Sequence, residues 1–115
     1  MSTSFKKRLS QLYNEVNQEI YSIGVSKQKI DMVDNRIVIF AQTKRSPLLT
    51  VLSGRFTELT ASVDAALAVE YKHRLKEKFE KQFGIKVITI FKDYDPASQH
   101  ACTVIYLEQP IEMQS

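Results

Sequence analysis

Residues 57–83, TELTASVDAALAVEYKHRLKEKFEKQF, run into Gly84 and the strand-like IKVITIF, and their reading decides the fold. Leu59, Val63, Ala66, Leu67, Tyr71, Leu75, Phe79 and Phe83 recur at steps of three or four, the period of one buried helix face. Lys72, Lys76, Glu77, Glu80 and Lys81 fall between them on the solvent side. At 1.5 Å per residue such a helix spans roughly 40 Å, more than the width of a domain of this size. Part of it is therefore expected to overhang the sheet or to pack on a second subunit. Gly84 tolerates the left-handed backbone that stops a helix, so the chain turns there into its last pair of strands.

Upstream, the segment from Ser4 reads as a first helix capped by Thr3 or Ser4. Phe5, Leu9, Leu12, Val16, Ile20 and Ile23 form its apolar stripe, with Tyr13 and Tyr21 at the margins and Gly24 as the stop. Lys6, Lys7 and Arg8 read as a solvated helix end. Two strands follow, KQKIDMV and RIVIFAQTK, about a tight turn at Asp34 and Asn35, both residue types that accept positive φ. Ile37, Ile39 and Ala41 point one way and Val38 and Phe40 the other, so this strand carries apolar residues on both faces. It is expected to be central, or covered on its second face by a partner.

Ser46 and Pro47 mark the start of a short helix through Leu48, Leu49, Val51 and Leu52, ending near Gly54. After Gly84, a third strand is expected to close at Phe91, and DYDPASQ, residues 93–99, reads as a loop around Pro96. Ala101 to Leu107 forms a fourth strand, and residues 110–115 read as a frayed tail. The sequence thus predicts one α+β domain over residues 1–109, in the order α-ββ-α-α-ββ. Its four-stranded, largely antiparallel sheet consists of two hairpins with the helices on one face.

Composition bounds the function. A chain of 115 residues with 43% hydrophobic and 25% charged residues suits one globular domain, and a net charge of +3 exerts little long-range pull on nucleic acid or anionic lipid. The single cysteine, Cys102, cannot form an intramolecular disulfide, and the N-terminus lacks the apolar core of a signal peptide. A cytoplasmic location is expected, peripheral to a membrane only through a partner, since no apolar run is long enough to cross a bilayer.

No constellation of catalytic or metal-binding residues emerges. Glu70 and His73 have the Glu-x-x-His spacing of di-iron bundles, but there is one copy where two are needed, so they read as surface residues. His100 and Cys102, two apart on a strand, share a face without a second pair of ligands. Cys102 reads as a small hydrophobe, and Asp93 and Asp95 as turn formers. The three glycines are isolated, so no loop cradles a phosphate. Neither a catalytic residue, a cofactor nor a metal is expected, and the chain reads as non-enzymatic. Lys72, Arg74, Lys76, Lys78 and Lys81 crowd the second half of the long helix, with Lys27, Lys29, Lys44, Arg45, Lys86 and Lys92 on strands or their ends. A contiguous patch of these would suit nucleic acid, but Glu70, Glu77 and Glu80 interleave the helix charges.

Five features together resemble a bacterial family of domains of unknown function labelled MpsC-like. They are the strand RIVIFAQ after Val33 and Asp34; the turn with Leu48, Leu49 and Leu52; Gly54 and Arg55 before the long helix; Gly84, Ile85, Lys86 and Val87 after it; and Asp93 before a last strand ending TVIYLE. The family takes its label from a subunit of a sodium-translocating system that generates membrane potential. The resemblance implies a small accessory or regulatory protein that docks on subunits of a membrane cation or inorganic-carbon transport system. Arg55, Lys72, Arg74, Lys76 and Lys86 are the candidate contacts for a partner or an anion. Independently of the resemblance, the doubly apolar second strand and the length of the long helix predict a homodimer. The alternative function is a nucleic-acid-binding regulator that uses the basic half of that helix.

Overall fold

The computed structural model describes residues 3–111, and the expectations for the tail beyond residue 111 lie outside them. The elements are α1 (Thr3–Tyr21), β1 (Lys27–Val33), β2 (Arg36–Gln42), α2 (Pro47–Leu52), α3 (Thr57–Phe83), β3 (Val87–Asp95) and β4 (His100–Leu107). They form one α+β unit in the expected order, with the four strands antiparallel throughout in the order β1-β2-β4-β3. The hairpins meet where β2 pairs with β4, so the strand with two apolar faces is central.

Local chemistry explains the joints. Asp34 adopts φ 56° in the two-residue turn between Val33 and Arg36. Asn35 ties that turn to the far hairpin, donating from Nδ2 to the carbonyl of Leu107 and accepting from its amide, both at 2.8 Å. Gly84 ends α3 in the left-handed conformation at φ 68°, where a side chain would be strained. At the end of α1 the left-handed residue is Ser22, not Gly24. Gly24 serves a close approach instead: a Cβ there would stand 2.9 Å from Asn14 Oδ1, which accepts the Val25 amide at 2.7 Å. Thr3 is the first described residue of α1, and Ser4 lies inside the helix rather than at its cap. Ser46 precedes α2 without a side-chain capping bond.

Both helices that build the core lie on one face of the sheet. Leu9, Leu12, Tyr13 and Val16 of α1 and Tyr71, Leu75 and Phe79 of α3 pack on Ile30, Ile37, Ile39, Ala41, Val87, Ile90, Ala101, Ile105 and Leu107. Tyr13 is central rather than marginal. Ile111 also packs against this core. In α3 burial is confined to the C-terminal half apart from Thr60, while Leu59 and Val69 are exposed. The molecule measures 50 × 24 × 21 Å, and the first half of α3 with α2 accordingly forms an apolar arm that also exposes Leu48, Val51 and Phe56.

The third strand departs from expectation. It continues past Phe91 to Asp95, and the turn is confined to the residues after it. A bulge between Val87 and Thr89 shifts the alternation, leaving Ile88 exposed and setting Ile90, Lys92 and Tyr94 on the helix side and Phe91 and Asp93 on the open side.

Candidate functional site

Two features of the folded chain can bind something: the open face of the sheet and a cavity on the opposite side. Residues paired directly across strands share a face, so the register lays the open face out in rows. One row reads Lys27, Gln42, His100, Asp95; the next Lys29, Phe40, Cys102, Asp93; the third Asp31, Val38, Val104, Phe91; the last Val33, Arg36, Tyr106, Thr89. The centre is apolar, with Phe40 47% and Phe91 57% exposed, and Phe91 meets Tyr106 edge-on at 5.7 Å. Charge sits at the margins: Lys27, Lys29 and Asp31 on the β1 edge, with Lys29 Nζ 3.9 Å from Asp31 Oδ2, and Asp93 and Asp95 on the β3 edge. No helix covers this face among the described residues.

The basic residues singled out in the sequence do not converge. Arg74 pairs with Glu70 at 3.1 Å and with Glu19 of α1 at 3.6 Å. Lys78 reaches Glu15 at 3.2 Å and Glu19 at 2.6 Å. The hydrogen bond from Lys78 holds the Glu19 carboxyl below its ordinary range and raises Lys78 in turn. Glutamates of α1 thus neutralise much of the basic half of α3. Lys76 is exposed and Lys72 half-buried on that helix, Lys86 is exposed just before β3, and Arg55 lies over the Phe56 ring in the distant arm, 5.9 Å from its centroid. The remaining candidates are also separate. His73 pairs with Glu77 at 3.1 Å and not with Glu70. His100 and Cys102 share the open face as expected, with His100 Nε2 3.0 Å from Gln42 Nε2. Asp95 shapes its turn, accepting from Ser98 Oγ at 2.7 Å, which lowers its carboxyl pKa. Among the described residues no group of three His, Cys, Asp or Glu side chains is placed to hold a metal ion.

The second feature escaped the sequence reading. Where β3 passes under the helices, a cavity of ≈ 270 Å³ opens between α1, α3, β3 and the β2–α2 connection. Asn17, Tyr21, Lys92 and Tyr94 line it from the sheet and α1; Arg45, Leu49, Asp64, Ala65 and Ala68 line its far wall. Beside it the core carries a polar chain. Tyr13 and Thr103 hydroxyls share a hydrogen bond of 2.8 Å, and Asn17 Nδ2 donates to the Tyr13 carbonyl at 2.9 Å and to Tyr71 Oη at 2.6 Å. Burial raises the Tyr13 and Tyr71 phenols and pushes Tyr21 up to about 12, so all three are neutral at physiological pH.

Lys92 is the unusual member. Its Nζ lies 3.7 Å from the centroid of the Tyr71 ring, 4.5 Å from that of Tyr21, and within 3.4 Å of Tyr21 Oη. Among the described residues no carboxylate comes within 4 Å of it, whereas the neighbouring Arg45 is paired with Asp64 at 2.9 Å. Desolvation brings the Lys92 amine down to about 7. In the sequence Lys92 looks like any strand lysine. Only the bulge, which turns it toward the helices, gives it this setting.

Comparisons with protein-family models, with curated proteins and with solved structures found no match.

Proposed function

We propose that the chain is a non-enzymatic accessory or regulatory protein that acts by docking, as a homodimer closed through the open face of its sheet. The observation that carries this reading is the apolar face centred on Phe40, Val38, Val104, Phe91 and Tyr106, which no helix covers among the described residues and which is edged by Lys27 and Lys29 beside Asp31 on β1 and by Asp93 and Asp95 on β3. A second copy turned about a two-fold axis parallel to the strands lays β1 of each copy over β3 of the other and preserves the rows. Lys27 and Lys29 of one copy then meet Asp95 and Asp93 of the other, twice over, around a shared apolar centre. Such self-complementarity is what a closed two-fold interface requires, and face-to-face sheets pack in this aligned manner. The client is a membrane cation or inorganic-carbon transport subunit, a reading supported by the MpsC-like pattern of the sequence. The α2–α3 arm, with Leu48, Val51, Phe56, Leu59 and Val69 exposed, remains available to it. No helix of the described residues is long and apolar enough to cross a membrane, so contact with such a system runs through a partner.

The nucleic-acid alternative has less support, because Arg74 and Lys78 are engaged by Glu19 and Glu15 and the other basic residues are dispersed. Light scattering tests the dimer: a dimer mass is expected, with Phe40→Glu plus Phe91→Glu giving a folded monomer. Lys29→Asp should weaken association and adding Asp93→Lys should restore it, since the pair is intermolecular in this arrangement. A monomer mass at high micromolar concentration overturns the dimer. Affinity capture from membrane extracts tests the client: recovery of a transport subunit, lost on Val51→Glu with Leu59→Glu, is the expected result.

A further inference from the structure

The cavity under α1 is a second recognition element, on the opposite side of the sheet from the docking face. We propose that it is a binding site for a small monocarboxylate with a short apolar body, the carboxylate held by Lys92 Nζ. Three observations carry this. Lys92 presents a cation to a partly open cavity with no carboxylate within 4 Å among the described residues, while of the two other cations that line it Arg45 is already paired with Asp64 and Lys44 is solvent-exposed. An unpaired cation out of water is unfavourable unless something compensates it, and the Tyr71 and Tyr21 rings do so only in part. On the far wall Leu49, Ala65 and Ala68 form an apolar stretch beside the Arg45–Asp64 pair, and this stretch suits a short hydrocarbon body. The volume lies just below the range of drug-sized pockets, which limits the ligand to a small molecule.

The charge pattern selects the class. A phosphate carries more negative charge than the one unpaired, half-buried lysine balances, and no glycine is among the described residues that line the cavity. A monocarboxylate matches one ammonium and accepts from Tyr21 Oη beside it. The other ionisable or charged groups of the lining are Tyr21 from α1, Asp64 from α3, Lys44 and Arg45 from the β2–α2 connection and Tyr94 from β3, with Asp93 set on the open side of the sheet; behind the wall Tyr71 lies against Lys92 and Tyr13 against Tyr71. The three tyrosines of the helices are neutral at pH 7 and Arg45 offsets Asp64, which leaves Lys92 as the group whose protonation governs binding.

The test is a titration of the full ¹⁵N-labelled chain followed by NMR, using butyrate, hexanoate and benzoate, with hexanol, butylamine and inorganic phosphate as comparators. Saturable shifts at Tyr21, Leu49 and Lys92 are expected with hexanoate or benzoate, and about tenfold weaker binding with hexanol. Affinity should be level near pH 6, where the carboxylate is ionised and Lys92 is charged, and fall by up to about tenfold per unit above pH 7, as Lys92 loses its proton. Lys92→Met should reduce carboxylate affinity about tenfold or more and remove the pH dependence. Lys92→Met keeps the packing, and Ala68→Leu, which fills the cavity and leaves the charge, should abolish binding by a separate route. The proposal is overturned by any of three results: no saturable carboxylate binding up to about 10 mM; equal binding by Lys92→Met and the parent; or phosphate binding tighter than every carboxylate.

Discussion

The same four strands present two faces that behave as different materials. On the helix side, Ile37, Ile39, Thr103 and Ile105 are fully buried, and the Thr103 hydroxyl is paired with Tyr13 and the Asn17 amide with Tyr71. On the other side Phe40 and Phe91, of comparable hydrophobicity, stand about half in water. Strand alternation supplies apolar residues to both faces, but the described residues form two long helices and both lie on one side. The contrast shows that burial in this protein is limited by the number of covering elements, not by the hydrophobicity of the strands. A similar contrast divides α3, whose second half is core and whose first half is arm.

The largest effect should come from the covered face. Phe79→Ala is expected to cost about 3–5 kcal/mol in urea unfolding, because Phe79 is fully buried between the Phe5 and Phe83 rings. The next is the cost of holding Lys92 on that face. Burial brings its amine down to about 7 from the ordinary lysine value of 10.5, so between those values the unfolded chain binds a proton that the native chain does not. Stability should therefore be flat below pH 7 in this respect and rise from there toward pH 10, by up to about 4 kcal/mol. The raised phenols of Tyr13, Tyr21 and Tyr71 act in the opposite sense, since the unfolded chain ionises first above pH 10. A stability maximum near pH 9–10, replaced in Lys92→Met by a flat profile from 7 to 9, is the expected outcome of thermal melts across this range.

Smaller still is Tyr71→Phe, which strips the Asn17 amide of its 2.6 Å acceptor at a cost of about 1–3 kcal/mol. The open face should respond least as a folded monomer. Phe40→Glu with Phe91→Glu should change monomer stability by about 0.5 kcal/mol or less per site while abolishing association. If those two changes destabilise a dilute monomer as much as Phe79→Ala does, the distinction between the faces fails. On the arm, Val69→Ser should fall within about 0.5 kcal/mol of the parent, against several for Leu75→Ala, less than two turns further along the same helix.

Much of the architecture was legible because it depends on neighbours in the chain. The bounds of α3, the hairpin at Asp34 and Asn35, and the stop at Gly84 follow from local periodicity and turn chemistry. Where a reading failed, a longer-range contact had decided the matter. Gly24 was legible as a helix stop but is a contact for Asn14, and the third strand outran Phe91 because pairing with β4 holds Lys92 to Asp95 extended despite Pro96 nearby. Neither the Tyr13–Thr103 bond, across 90 positions, nor the Asn17–Tyr71 bond, across 54, leaves a trace in local spacing. Lys92 had no signal beyond being a strand lysine, and a one-residue bulge turned it inward.

What the sequence by itself determined is the set of elements, their order and the excess of apolar surface over what two helices can cover. Helix period, strand alternation and turn residues are properties of a few consecutive positions, so they survive without knowledge of the fold. Only the tertiary structure decided which face went bare, which tyrosines closed a polar chain through the core, and that Lys92 was drawn out of water beside a cavity. Those outcomes depend on register and on which side of the sheet the helices cross. Both are fixed by contacts between distant residues, and a single shift in strand alternation is enough to exchange one face for the other.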